Sequence, residues 1–97
     1  MTAQLKRLAA AGIQIIPAEI SSHFILERDG FVVFVERREG SFGNIGAPGL
    51  MTEQGFAALV WRGDEAFFIG KGFERLASAE DVQKIRAFAS ELTSALG

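Results

Sequence analysis

The stretch that decides the fold is His23-Phe24-Ile25-Leu26-Glu27-Arg28-Asp29-Gly30-Phe31-Val32-Val33-Phe34-Val35-Glu36-Arg37-Arg38. Two runs rich in β-branched and aromatic residues flank Asp29-Gly30, a pair suited to a two-residue type I′ turn because both central residues must adopt positive φ. Such a turn pairs Arg28 with Phe31 and, stepping outward, His23 with Glu36. Side chains alternate along a strand, so Phe24, Leu26, Phe31, Val33 and Val35 share one face. His23, Ile25, Glu27, Val32, Phe34 and Glu36 share the other. The first set carries no charge and is the natural core face.

A second hairpin is expected from Phe56–Arg62 and Glu65–Lys71, joined by Gly63-Asp64, a turn with glycine first. Its register sets Arg62 opposite Glu65 as a cross-strand ion pair. Ala57, Leu59, Trp61, Ala66 and Phe68 then lie on one face, and Ala58, Val60, Phe67 and Ile69 on the other. The tryptophan face is assigned to the core because it holds the largest side chain and almost no charge.

Outside the hairpins, residues 3–11 are strong helix formers, with Thr2 as a cap and Gly12 where a left-handed residue would stop the helix. Ile13, Ile15 and Ile16 suggest a brief extended segment, which Pro17 confines to a sheet edge. Near the C-terminus, Ser78-Ala79-Glu80-Asp81 opens a helix of roughly four to five turns. Its apolar stripe is Val82, Ile85, Phe88, Leu92 and Leu96. The expectation is one α+β domain over residues 1–97, built as helix, hairpin, long loop, hairpin, helix. Its sheet has four mostly antiparallel strands with both helices on one face.

Composition bounds what such a domain can do. Ninety-seven residues make one domain. With 48% apolar residues, 23% charged residues and nine phenylalanines, the chain is too hydrophobic for disorder and too interrupted by charge for a membrane span. It lacks cysteine, which excludes disulfides, a thiol nucleophile and thiolate metal sites, and a reducing, cytoplasmic location is expected. Ten basic against twelve acidic residues leave a net charge of −2, little support for binding nucleic acid or anionic membranes. Lys6 and Arg7 precede an apolar stretch, but Gln14 and Pro17 break it, unlike a signal peptide.

The chemical motifs are sparse. His23 is the single histidine, and Glu36 across the strand pair could orient its ring, half of a catalytic dyad. Ser22 should point away from His23, and Ser21 would have to curl past the strand end to reach it. A metal site would need Glu36 with Glu19 or Glu27, and no HxH, HxxxH or HExxH spacing exists, so no metal and no cofactor are expected. Gly40, Gly43, Gly46 and Gly49 recur every third residue, but GxGxxG spacing and a Gly-Lys-Ser/Thr ending are both missing. The segment reads instead as a crossing loop that needs positive φ angles and is packed down by Phe42 and Ile45. Arg28, Arg37, Arg38, Arg62 and Lys71 alternate with glutamates, a pattern of solvated ion pairs. The Gly30–Val35 run lacks the basic leader and aromatic spacing of an RNA-recognition strand. No family's motifs can be matched residue by residue.

One feature of the pattern calls for a partner. Two helices can cover only one face of the sheet, which leaves Ile25, Val32, Phe34, Val60, Phe67 and Ile69 on the other. If bare, they would expose on the order of 400 Å², large for a monomer. The sequence therefore favours a noncatalytic module that self-associates, as a homodimer, or binds a partner through this face. Segments 12–22 and 39–55 could instead fold over it. The rival expectation is a small enzyme or ligand sensor with His23 and Glu36 at the mouth of a pocket, gated by the loop containing Gly40, Phe42, Gly43, Gly46 and Gly49.

Overall fold

A computed structural model describes residues 2–17 and 22–97. Helix α1 (Thr2–Ala10) is followed by eight strands, β1 (Gln14–Ile16), β2 (His23–Arg28), β3 (Phe31–Arg38), β4 (Ser41–Ile45), β5 (Gly49–Thr52), β6 (Gly55–Arg62), β7 (Glu65–Gly70) and β8 (Phe73–Leu76), and then by helix α2 (Ala79–Leu96). The strands form one antiparallel sheet in the order β1-β2-β3-β5-β6-β7-β8, with β4 also paired to β3. The sheet curls into a half-barrel flanked by the terminal helices. The domain is thus α+β as expected, with eight strands among the described residues where the sequence indicated four.

Both expected hairpins have the expected register. His23 lies opposite Glu36 and Arg28 opposite Phe31, across a turn in which Asp29 and Gly30 have φ of 56° and 86°. In the second, Trp61 lies opposite Ala66 and Arg62 opposite Glu65. The extra edge strand is β1, paired to β2 through Ile16 and Ile25. Ser78 caps α2 in a full capping box, its hydroxyl accepting from the Asp81 amide and the Asp81 carboxylate accepting from the Ser78 amide.

The additional strands come from the segment expected to cross as a loop and from the chain after Lys71-Gly72. A third two-residue turn, Glu39-Gly40, has φ of 53° and 78° and starts β4 beside β3. β4 and β5 act as one bent strand along β3. Two residues, Gly43 and Asn44, stand opposite Glu36 alone, and three, Gly46 to Pro48, stand opposite Val33 and Phe34. Of the four evenly spaced glycines only Gly40 has positive φ. The others sit where backbone and side chains crowd in: a Cβ on Gly49 would lie 2.1 Å from the Ala57 carbonyl oxygen, and one on Gly46 would lie 2.8 Å from that of Phe34. These glycines permit strand packing, a role that leaves no alternating pattern in the sequence. Phe42 does pack inward, its ring 4.7 Å from that of Phe24, while Ile45 is exposed.

The core lies between the helices and one face of the sheet. Phe24, Leu26, Phe31, Val33, Val35, Ala57 and Phe68 meet Leu8 of α1 and Ile85, Phe88, Leu92 and Ala95 of α2. Arg28 joins the layers at one end. It donates to the Ala11 carbonyl at 3.1 Å, pairs with Glu91 and lies 5.5 Å from the centroid of the Phe88 ring. Trp61 corrects the sequence expectation. It stands on the core face but is 48% exposed, because it lies near the hairpin tip, whereas the buried stripe of α2 begins at Ile85.

Candidate functional site

The sheet face without helices is built from the register. Val60, Phe67 and Leu76 are cross-strand partners and form one apolar row over β6, β7 and β8. Val60 is 39% and Leu76 54% exposed, and Phe67 is half-buried. The next row contains Ala58, Ile69 and Glu74. Toward β3, the Phe56 ring lies over Gly49 and meets the Phe34 ring with centroids 4.9 Å apart.

The six residues expected to form this face separate into three groups. Ile25 and Val32 are 6% and 1% exposed, so they are buried within the chain itself. Phe34, Phe67 and Ile69 are half-buried, and Val60 is open. The open part of the face is thus its β6–β8 end, together with Leu76 and Met51, which no strand expected from sequence contained. Part of one segment considered as a cover, residues 18–21, lies outside the described residues.

The charges on this face differ from expectation in one pairing. Arg62 and Glu65 are register partners, yet the Arg62 guanidinium lies 5.2 Å from the Phe67 ring centroid and 3.3 Å from the Glu74 carboxylate. The long side chain covers the aromatic ring and its charged end reaches β8, so Glu74 replaces Glu65 as its partner.

His23 and Glu36 face one another in register, but they do not form a dyad. Arg38 Nε donates to the Glu36 carboxylate at 2.9 Å, as i and i+2 positions on one strand face allow. The His23 Nδ1 lies 2.8 Å from the Ser22 hydroxyl. Ser22 precedes β2, so strand alternation does not turn it away as expected. A serine beside an imidazole without an orienting carboxylate lacks the arrangement that activates a nucleophile. His23 and Glu36 border an open depression of about 280 Å³, lined also by Phe34, Phe56 and residues 44–47, so Gly46 alone of the four spaced glycines reaches it. Ser21 and Glu19 lie outside the described residues, and Glu27 accepts from the Gly30 amide at 3.2 Å. Among the described residues, no three acidic or histidine side chains gather where they could hold a metal ion.

A larger concavity, about 520 Å³, lies elsewhere, between the β6–β7 tip and the first half of α2. Trp61, Leu76, Val82 and Arg86 line it, with the Arg86 guanidinium 5.7 Å from the indole. Nothing in the sequence pattern joins these residues, because they come together only where β8 turns into α2. No helix among the described residues is long and apolar enough to cross a membrane. Compared with models of protein families, with curated proteins and with solved structures, the chain matches none.

Proposed function

We propose that this chain is a noncatalytic module that pairs with a second copy of itself through the β6–β8 end of its helix-free sheet face. The observation that carries this proposal is the apolar row Val60, Phe67 and Leu76 on a face that neither helix covers. Isologous twofold pairing is the commonest way for a small chain to bury such a face.

Sedimentation equilibrium over a range of concentrations tests the proposal on the wild type and on Val60→Glu. Val60 is already open, so the substitution leaves the fold intact, but it places a charge on each side of the contact. The wild type is expected to approach the mass of two chains and the variant to remain at one. A wild-type mass of one chain at every concentration, unchanged by Val60→Glu, would sink the proposal. His23→Ala should leave the mass unchanged, since His23 borders a different part of the face.

A further inference from the structure

The concavity between the β6–β7 tip and α2 lies apart from the apolar row on the helix-free face. Its volume, about 520 Å³, falls within the roughly 300–1,000 Å³ of small-ligand sites. Trp61 and Ala66 are cross-strand partners at its sheet side, one 48% exposed and the other buried. The Ala77 amide donates to the Ala66 carbonyl at 2.8 Å, which fixes the turn from β8 into α2 against β7. Small side chains at 66 and 77 leave room that larger ones would fill, and Trp61, Leu76 and Val82 supply apolar walls. An indole half open beside such a space can stack on a flat ligand, a contact that contributes beyond the area it buries.

The charged groups around this space are uncommitted. Arg86 has Val82 and Ser90 four residues away and Gln83 and Ala89 three away, so its own helix offers it no acidic neighbour. Its guanidinium lies 5.7 Å from the Trp61 ring centroid. Asp64 and Glu65 come from the hairpin tip, and Glu65 lacks its register partner because Arg62 pairs with Glu74. Arg86, Asp64 and Glu65 form no ion pair among the described residues, although all three line the same concavity. The polar side chains at the start of α2 are engaged elsewhere, since Ser78 and Asp81 close the capping box.

We infer that this concavity is a binding site for a small zwitterion with a flat apolar body, the chemistry of an aromatic amino acid. The ring lies against Trp61 and Leu76, the carboxylate meets Arg86, and the ammonium meets the Asp64 and Glu65 carboxylates. A guanidinium can hold a carboxylate through two parallel hydrogen bonds, which fixes orientation as well as charge. Both ligand charges are needed for the fit. An aromatic acid would satisfy Arg86 but face two uncompensated carboxylates, and an aromatic amine would leave Arg86 without a counter-charge. The site does not depend on the pairing proposed above: Leu76 borders both surfaces, but Trp61 stands on the core face and Arg86 on α2.

The chain has one tryptophan and no tyrosine, so selectively excited tryptophan fluorescence reports this site alone. Titration with L-phenylalanine should change the emission saturably, with a Kd of about a millimolar or tighter. 3-Phenylpropionate lacks the ammonium and phenethylamine lacks the carboxylate, so each should bind about fivefold more weakly, the loss of one charged contact at a partly solvated site. Arg86→Gln should weaken L-phenylalanine and 3-phenylpropionate and leave phenethylamine unchanged. Asp64→Asn combined with Glu65→Gln should weaken L-phenylalanine and phenethylamine and leave 3-phenylpropionate no weaker. All three positions are exposed, so the variants should fold, which circular dichroism verifies. Trp61→Ala should abolish L-phenylalanine binding in ligand-observed NMR, which replaces the lost fluorophore. Emission unmoved by all three ligands would overturn the site. Equal affinity for L-phenylalanine and its uncharged N-acetyl amide, or an Arg86→Gln variant that weakens all three ligands alike, would overturn the zwitterion as the ligand. Each titration is read whether the wild type sediments as one chain or two, so failure of either proposal leaves the other standing.

Discussion

The hairpins β2–β3 and β6–β7 are built alike and end up in different environments. Each has a two-residue turn, each is apolar on both faces, and each sends one face to the same helices. In β2–β3 the second face is buried too, at Ile25 and Val32, whereas in β6–β7 it is open at Val60. The difference comes from the neighbours. β1 sets Ile16 beside Ile25, the bent β4–β5 strand runs along β3, and the Phe56 ring lies over Gly49 against Phe34. β7 has only the short edge strand β8 beyond it, and Arg62 reaching over Phe67. An apolar strand face is therefore a demand for cover, and local sequence does not say whether the same chain supplies it.

Three measurements would sharpen or break that contrast. The largest effect is expected where both hairpins share the core. Phe68→Ala or Phe88→Ala should lower unfolding free energy by about 3–5 kcal/mol in denaturant titrations, since both rings are fully buried. Trp61→Ala, in spite of its size, should cost only a fraction of that. A Trp61 loss equal to the Phe68 loss would mean that the hairpin tip is packed more tightly than its exposure indicates.

Next is the second face of β2–β3. Val32→Ala should cost about 1–3 kcal/mol, as loss of buried methyl groups does. Val60→Ala, the corresponding truncation on β6, should cost under about 0.5 kcal/mol in the monomeric state. Equal losses at the two positions would erase the distinction between the hairpins.

The last comparison, between effects of about that size or less, tests what brings cover to β3. Gly49→Ala places a methyl group against the Ala57 carbonyl and the Phe56 ring and should destabilise by about 1–3 kcal/mol through overpacking. Gly40→Ala meets no atom within 4 Å, so its cost, about 1 kcal/mol, should come from positive φ alone. Thermal unfolding of the two variants separates the causes. If Gly49→Ala were harmless, the close approach of β5 and β6 would not be what requires glycine there.

Much of the candidate site was legible at the level of faces and little at the level of contacts. Hairpin arithmetic placed Val60 with Phe67 and His23 with Glu36. It also placed Arg62 beside Glu65, and could not foresee that Arg62 would choose Glu74, because β8 was not visible: Phe73-Glu74-Arg75-Leu76 is too short and too charged to read as a strand. Glu36 turned to Arg38 on its own strand for a similar reason, since register fixes which side chains are near and leaves their choice of partner to local packing.

Asp29-Gly30, Gly63-Asp64, the alternating strands and the stripe of α2 are local signals. They determined by themselves the two hairpins, their registers and the C-terminal helix. Turn conformation and side-chain alternation depend only on neighbouring residues. Tertiary structure alone decided that the glycine-spaced segment becomes β4 and β5, that Val32 is buried while Val60 is open, and that Trp61 stands beyond the helix stripe. Each of these depends on which distant strand comes to lie alongside, and the free energy of burial belongs to that encounter and not to the residue.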